Sequence, residues 1–297
     1  MPELTHRELP TAPLRAPIGL YDSGVGGLSV VREVLRQLPA EGIHYLADTA
    51  RVPYGGRPAS ELLTFNREIL AYLASEGAKA ILVACNTSCA TALDTLRPEC
   101  PVPVVGLIDA GARAALQSGR RIAILATEAT VRSGAYERAI RTRDASAEVV
   151  SLACPALVPV VEAGHRDDAV ADSAVAEALA PLKRHEFDAV VLGCTHYPLL
   201  ANVIGRRLGS GVKLVDPAEE AVRELAWILF ERELLAPSGV APAHHMAVTC
   251  DEAHFATQAA AILGGPEPAV RRVFLETLRL AGHQLWPVLS ALPEAIR

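Results

Sequence analysis

Several residue types and patterns that mark common protein classes are scarce in this sequence. Lysine occurs at only three of 297 positions, aromatic residues make up 4%, and 34 acidic residues outnumber 28 basic ones, so the net charge is -6. Proteins that bind nucleic-acid phosphates or anionic membrane surfaces need clustered Lys and Arg, and no such cluster is present. We therefore expect neither a nucleic-acid partner nor a membrane partner.

Long apolar runs and paired cysteines are missing as well. A membrane-spanning helix needs roughly 18 consecutive apolar residues, and a secretory signal needs an apolar core that residues 1–16 do not contain. The six cysteines stand at irregular spacings that do not suggest a disulfide framework. These absences predict a cytoplasmic protein whose thiols are reduced and can act as acids and bases.

The signatures of common cofactors are incomplete. Cys194-x-His196 and Cys85-x3-Cys89 carry soft metal ligands, but structural zinc sites combine two cysteine pairs, and no second pair follows. A dinucleotide loop would need glycine at position 29, where this chain has serine. Pyridoxal phosphate needs a lysine beside a phosphate cradle, and none of the three lysines has that setting. We expect no metal and no cofactor. The lysines are Lys79, Lys183 and Lys213.

Short apolar runs alternate with longer amphipathic ones, which is typical of an α/β protein with mainly parallel sheets. A composition of 51% hydrophobic and 21% charged residues suits one or two compact domains. The predicted strands cover residues 18–21, 43–47, 80–84, 104–107, 121–126, 148–152, 189–193 and 213–216. The predicted helices cover residues 28–37, 59–75, 87–96, 134–143, 168–183 and 198–208.

Polar and small side chains follow five of the predicted strands. Open α/β sheets bind their ligands beyond the carboxyl ends of the strands, so these segments together form the candidate site. They are DSGVGG (22–27), DT with PYG (48–49 and 53–55), CNTS (85–88), TEAT (127–130) and CTHYP (194–198).

Two of these segments share one pattern. ILVACNT (81–87) and VVLGCTH (190–196) each run from an apolar strand through a small residue and a cysteine into hydroxyl or amide groups. The repetition predicts two similar α/β domains that face each other across a central cleft, each presenting one thiol. We place the first domain, with Cys85, at residues 1–108 plus 217–297, and the second, with Cys194, at residues 109–216.

The thiols of Cys85 and Cys194 are the candidate acid–base groups. A free thiol has a pKa of about 8.5, which a helix N-terminus lowers, and both cysteines stand where a strand should pass into a helix. The remaining cysteines are interpreted as buried small hydrophobic residues: Cys89, Cys100, Cys154 and Cys250.

The polar neighbours of the thiols also have simpler interpretations. Asp22 or Ser23 can cap the helix that begins at Leu28. Alternatively, the glycines at 24, 26 and 27 can let the backbone approach a substrate carboxylate. Helix capping would explain both Asn86-Thr87 and Thr195-His196. A reverse turn with an exposed phenol would explain Tyr54-Gly55, and Glu162 can be a surface helix end.

Together these motifs resemble the glutamate racemase family, within the wider aspartate/glutamate racemase superfamily. DSGVGG, ACNTS and GCTHYPLL in one chain form a specific combination, and aspartate racemases usually carry Glu where this chain has His196. The match extends over about residues 18–264. Its segments are IGLYDSGVGGLSVVREVLRQLP (18–39), ADTARVPYG (47–55), VACNTS (83–88), ATEATVRSGAY (126–136), CPALVPVVEAG (154–164) and LGCTHYPLL (192–200), with looser matches at VDPAEE (215–220) and CDEAHFATQAAAILG (250–264).

The resemblance implies cofactor-independent racemisation of glutamate, with Cys85 and Cys194 exchanging protons with opposite faces of the substrate. It implies that Asp22 and His196 assist the thiols, and that Cys85 deprotonates D-glutamate while Cys194 deprotonates L-glutamate. A homodimer and a D-glutamate product destined for peptidoglycan are also implied. The implied substrate-binding residues are Asp22, Ser23, Tyr54, Gly55, Asn86, Thr87, Thr195 and His196.

Departures from the family pattern leave other activities open. IDAG (108–111) stands where the family usually has Glu-Pro-Gly, and LAD (46–48) replaces a usual Gly-Asp. The chain could instead racemise aspartate or a hydantoin, decarboxylate with one cysteine, or bind an amino acid without catalysis. The second cysteine disfavours the decarboxylase, and His196 disfavours aspartate.

Overall fold

The computed structural model of the chain describes residues 14–183, 185–239 and 241–275. Within these ranges the strands form two fully parallel sheets, one ordered β10-β9-β2-β1-β3-β4 and the other β6-β5-β7-β8. The predicted α/β class with two parallel sheets is confirmed. The strands are β1 Ile18–Asp22, β2 Ile43–Ala47, β3 Ala80–Val83, β4 Val104–Gly106, β5 Arg121–Ala126, β6 Glu148–Ala153, β7 Ala189–Gly193, β8 Lys213–Val215, β9 His244–Val248 and β10 Val270–Arg272.

The eight predicted strands are all present, with ends within one residue of the prediction. Strands β1, β2, β3 and β7 are buried along their whole length, as expected for parallel strands covered on both faces. Strands β9 and β10 were not predicted. They lie at one edge of the larger sheet, and β9 begins with two exposed histidines that interrupt its apolar pattern.

Helices cover the faces of both sheets, and none in the described ranges is long and apolar enough to cross a membrane. Three predicted helices, 28–37, 59–75 and 134–143, are present within one residue at each end. A helix that ends at Glu162 was expected without a start, and the helices over 107–116, 128–133, 217–231 and 252–263 had no predicted bounds. The helices are α1 Leu28–Gln37, α2 Ala59–Ser75, α3 Asn86–Ser88, α4 Asp94–Leu96, α5 Leu107–Leu116, α6 Glu128–Ser133, α7 Ala135–Arg143, α8 Leu157–Glu162, α9 Ala169–Ala178, α10 Ala201–Leu208, α11 Pro217–Glu231 and α12 Glu252–Leu263, with a π-helical turn at Cys89–Leu93.

Helices α5 and α11 join the two sheets. They pack on each other, α11 contacts β3, β4 and β7, and α5 contacts β7 and β8. The start of α11 is set locally: the Asp216 side chain accepts a hydrogen bond from the Ala218 N–H at 3.0 Å, and Pro217 occupies the first turn. One continuous buried core consequently runs from Ile18 in β1 to Val191 in β7.

The strand pairing bears on the predicted domain division, which stays a proposal. Strands β9 and β10, which follow residue 217, pair in the sheet that contains β1 to β4, whereas β5 to β8 form the other sheet. The predicted limits, 1–108 with 217–297 and 109–216, include residues 1–13 and 276–297, which lie outside the described residues. For clarity we call the sheets the six-stranded and the four-stranded sheet.

Candidate active site

A cavity of about 210 Å³ lies where the carboxyl edges of the two sheets meet. Strand register places Asp22, Asp48 and Cys85 at one edge, and Thr127 and Cys194 at the other. All ten predicted site residues line or bound this one cavity, although their roles stay a prediction. The lining residues are Asp22, Ser23, Pro53, Tyr54, Gly55, Gly56, Cys85, Asn86, Thr87, Thr127, Glu128, Pro155, Val158, Pro159, Cys194, Thr195 and His196.

The glycine loop after β1 packs against side chains of the four-stranded sheet. A Cβ on Gly26 would lie 2.5 Å from His196 Nδ1, and one on Gly24 would lie 2.3 Å from Glu162 Oε1. The Gly27 N–H donates to Asp22 Oδ2 at 2.7 Å. These glycines therefore leave room for the side chains of His196 and Glu162, and their predicted approach to a substrate carboxylate stays a prediction.

Gly26→Ala is expected to lower by roughly 100-fold the activity that the family resemblance implies, because the new methyl group must displace the His196 ring from its place beside Cys194. The measurement is kcat/KM at a fixed pH together with the melting temperature. Gly211→Ala is the matched control, because its Cβ would meet nothing within 4 Å. Unchanged kcat/KM in Gly26→Ala would show that this close approach has no catalytic consequence.

Cys194, His196 and Glu162 form a chain of contacts on one side of the cavity. Cys194 Sγ lies 3.6 Å from His196 Nδ1, and His196 Nε2 lies 2.6 Å from Glu162 Oε1. Glu162 Oε1 also accepts the Val25 N–H at 3.2 Å, so the carboxylate bridges to the glycine loop. Sequence reasoning allowed Glu162 to be a surface helix end; it does end a helix, but it is half-buried and bonded to His196, a contact that the sequence did not predict. Its one signal was a carboxylate ending the otherwise apolar helix LVPVVE.

The contacts of His196 oppose the effect of its burial. Burial lowers the pKa of His196, but its hydrogen bonds to Cys194 and Glu162 outweigh burial and raise that pKa well above 6.5. Burial raises the pKa of Glu162, and its bond to His196 more than compensates, so that pKa is lowered. These contacts favour the protonated form of His196, in which both ring nitrogens are donors.

Cys85 occupies a different electrostatic environment. It caps the three-residue helix α3 and is buried. Burial, followed by the nearby charge of Asp22, raises the pKa of the Cys85 thiol well above its ordinary value. The predicted lowering of this pKa by a helix N-terminus is therefore wrong, because desolvation of the buried thiolate and the nearby charge of Asp22 outweigh the effect of the helical segment that begins at Asn86. Cys85 is a protonated thiol in this state.

Asp22 connects the two thiol sides of the cavity. Its carboxyl is completely buried; Oδ2 accepts from the Gly27 N–H and from Thr195 Oγ1 at 3.2 Å, while Oδ1 has no partner among the described residues. Burial raises the pKa of Asp22, and the neighbouring His196 opposes that shift. This arrangement lets Asp22 influence both Cys85 and His196.

Tyr54 and Gly55 enter the cavity on the loop after β2. The predicted exposed phenol is wrong: Tyr54 is 1% exposed, and its hydroxyl donates to Asp48. Arg51 Nε also donates to Asp48, at 2.6 Å, so the buried Asp48 carboxylate accepts hydrogen bonds from two residues of this loop. The Gly55 carbonyl accepts the Ala129 N–H at 2.8 Å, which ties this loop to the four-stranded sheet.

Further hydrogen bonds join the two walls of the cavity. Thr87 Oγ1 lies 2.9 Å from Thr127 Oγ1, the Tyr136 hydroxyl donates to Asn86 Oδ1 at 2.6 Å, and Ser29 Oγ donates to the Thr195 carbonyl at 3.1 Å. Each bond links a residue near the six-stranded sheet to one near the four-stranded sheet. These three bonds therefore hold the two walls of the cavity together.

Comparison with known proteins assigns the family. A family model described as Asp/Glu/Hydantoin racemase matches residues 18–225. The chain belongs to this racemase family. It is 44% identical over 261 residues to a protein named glutamate racemase from Geobacter metallireducens (strain ATCC 53774 / DSM 7210 / GS-15), covering 87% of this chain and 97% of that one. The resemblance predicted from the sequence motifs is thus confirmed.

Solved structures agree with the family assignment. Glutamate racemase isoform RacE1 from Bacillus anthracis superimposes with a TM-score of 0.84 at 40% identity, covering 88% of this chain and 98% of that chain. Glutamate racemase from Francisella tularensis subsp. tularensis SCHU S4, solved in complex with D-glutamate, has a TM-score of 0.83 at 32% identity, covering 89% and 99%.

The remaining cysteines of this racemase-family chain differ from one another. Cys89 and Cys154 are buried as predicted, whereas Cys100 is half-buried and Cys250 is exposed, so the prediction for Cys250 is wrong. None of the four lines the cavity. Among the described residues, no group of three or more His, Cys, Asp or Glu side chains is placed to hold a metal ion.

Proposed function

We propose that this chain interconverts L- and D-glutamate without a cofactor, using Cys85 and Cys194 as its two proton carriers. The main support for this proposal is that these two buried thiols, which follow strands of different sheets, line one cavity. Racemisation requires a base on one face of the α-carbon and an acid on the other, and two opposed thiols satisfy that requirement. Relatives of this chain that are named glutamate racemase, one of them solved in complex with D-glutamate, support glutamate as the substrate.

The substrate carboxylate must be stabilised by fixed donors, because the α-proton is weakly acidic and no electron sink is proposed. Preorganised donors in a site that excludes water contribute roughly 3 kcal/mol each to the transition state. The cavity wall offers hydroxyl, amide and backbone N–H donors for this purpose. We propose the predicted residues Asp22, Ser23, Tyr54, Gly55, Asn86, Thr87, Thr195 and His196 as the substrate-binding set.

The two thiols have different surroundings. His196, whose pKa is raised well above 6.5, lies 3.6 Å from Cys194 Sγ, whereas burial raises the pKa of Cys85. A cationic neighbour favours the thiolate form of a cysteine. By the family resemblance, we propose that Cys194 removes the α-proton of L-glutamate and that Cys85 delivers a proton to the opposite face.

Circular dichroism of L-glutamate incubated with the purified chain, without added cofactor, tests the proposal. The expected result is loss of the signal to zero as the racemic mixture forms. L-Aspartate and a 5-substituted hydantoin are the parallel substrates, and their signals should persist. Loss of the aspartate or hydantoin signal alone would replace glutamate by that substrate, and no change with any of them would favour a binding protein without catalysis.

The cellular setting and assembly follow from the same proposal. We propose a cytoplasmic protein that supplies D-glutamate for peptidoglycan and acts as a homodimer. Trp227 and Phe230 on α11 are 61% and 59% exposed and lie in ring contact, with centroids 6.0 Å apart. An exposed aromatic pair of this kind is enriched at protein interfaces, and sedimentation velocity would measure the assembly.

A further inference from the structure

Tyr136 stands at the junction of the two sheets, behind the cavity wall. It lies in the first turn of α7 and is 1% exposed. Its ring fits a slot between two glycine backbones: a Cβ on Gly111 would lie 3.0 Å from Tyr136 Cε1, and one on Gly193 would lie 3.1 Å from Cε2. A Cβ at either position would press on the ring as well as on Pro217 or the Leu125 carbonyl, so the two glycines leave the ring the space it occupies.

The Tyr136 hydroxyl contacts a cavity residue of the opposite sheet. It donates to Asn86 Oδ1 at 2.6 Å, and Asn86 directly follows Cys85. Burial, followed by the charges of Cys89, Asp216 and Cys194, raises the pKa of Tyr136 well above 10.0. The phenol therefore keeps its proton and acts as a donor.

A side-chain amide has a donor end and an acceptor end, and its two orientations differ in hydrogen bonding. With Oδ1 bonded to Tyr136, the Asn86 Nδ2 group has no partner among the described residues, and Asn86 lines the cavity. In the reversed orientation the Tyr136 proton would have no acceptor among those residues, which costs a buried hydrogen bond. The phenol thus selects the orientation in which Nδ2 remains available.

We propose that Tyr136 is a positioning residue: it turns the Asn86 amide so that its Nδ2–H groups face the substrate carboxylate. The bond crosses between the sheets, so the orientation of Asn86 depends on a residue of the opposite wall. This inference rests on the proposed function, because it assigns a substrate contact to Asn86.

A double-mutant cycle tests the proposal. Tyr136→Phe removes the hydroxyl and leaves the ring, and it should lower kcat/KM for L-glutamate about tenfold, the ratio expected for one hydrogen bond of about 1.4 kcal/mol. In an Asn86→Ala background the same change should alter kcat/KM by less than about twofold, because its only target is gone. A purely structural role for Tyr136 would lower stability equally in both backgrounds without this coupling.

Tyr21→Phe is the matched control, because it removes the same kind of bond elsewhere. The Tyr21 hydroxyl donates to Asn66 Oδ1 at 2.5 Å, both residues are buried, and neither lines the cavity. This variant should lose melting temperature as Tyr136→Phe does, while its kcat/KM stays within about twofold of the parent. Gly111→Ala is a second probe: it retains the phenol but crowds its oxygen at 3.1 Å. It should show the same dependence on Asn86.

Three results would overturn the inference: a parental kcat/KM in Tyr136→Phe, additive effects of Tyr136→Phe and Asn86→Ala, or an equal loss in Tyr21→Phe. Failure of the parent chain to racemise glutamate is distinguishable from these, because it would appear before any variant is compared. That outcome would overturn the proposed function and this inference with it.

Discussion

Replacing either Cys85 or Cys194 by alanine is expected to lower the rate of glutamate racemisation by roughly 10³-fold or more. General acid–base groups typically contribute about 10² to 10⁴ in rate, and inversion is impossible when one face of the α-carbon has no proton carrier. Both thiols line the same cavity from different sheets. The measurement is the loss of circular dichroism from L-glutamate and, separately, from D-glutamate.

Deuterium exchange separates loss of one proton carrier from loss of the whole site. In D₂O, Cys85→Ala should still exchange the α-hydrogen of L-glutamate through Cys194 while keeping its configuration, and Cys194→Ala should do the same with D-glutamate. Cys250→Ala and Cys100→Ala are the matched controls, since these thiols lie outside the cavity lining. Racemisation at the parental rate in either active-site variant would refute the two-thiol mechanism.

Glu162→Gln is expected to lower kcat roughly 100-fold, with deprotonation of L-glutamate by Cys194 the step affected. The carboxylate 2.6 Å from His196 Nε2 supports the imidazolium, and a neutral amide cannot do so. The pKa of His196, raised well above 6.5 in the parent, should fall in the variant. The alkaline limb of the kcat profile should therefore move to lower pH. Glu186→Gln, at an exposed ion pair with Arg121, is the control.

The same ion pair predicts the pH dependence of stability. Folding raises the pKa of His196. Its contribution to the free energy of unfolding is therefore fully present below pH 6.5 and is lost as the pH rises through the pKa of the folded state. Folding lowers the pKa of Glu162. Its contribution to the free energy of unfolding is therefore fully present above pH 4.5 and is lost as the pH falls through the pKa of the folded state. The stability difference between the parent and Glu162→Gln should be largest from pH 4.5 to 6.5. An equal difference at pH 10 would contradict this assignment of charge.

Regular elements with strong apolar patterns could be predicted without the structure. Strands β2, β5 and β7 and helices α1 and α2 have the predicted ends, because fully buried parallel strands and amphipathic helices leave a direct periodicity in the chain. Strand β9, which lies between β10 and β2, was missed because its first two residues are exposed histidines and only its last three residues are buried. Helix α5 was missed because its first residue, Leu107, continues the apolar run of β4.

The chemistry of the candidate site was partly legible in the same way. A cysteine with polar neighbours after an apolar strand marks a residue at the carboxyl edge of a sheet, and the repeat of that pattern led to both thiols and their neighbours. No comparable sequence pattern points to Glu162, because its place in the site depends on a contact with His196, which is 34 residues away in the chain. Tyr54 was misjudged for a similar reason: its partner Asp48 becomes visible only when the loop is folded.

The amino-acid sequence by itself determined the α/β class, the membership of the racemase family, and the residue types that could carry protons, because periodicity and local motifs are properties of contiguous residues. Tertiary structure alone decided which of those residues share a cavity and what charge each one holds. Three features depend on groups that are far apart in the chain: the desolvation of Cys85, the raised pKa of His196 beside Glu162, and the hydrogen bond between Tyr136 and Asn86. Electrostatic free energies depend on burial and on distance in space, which the sequence does not give.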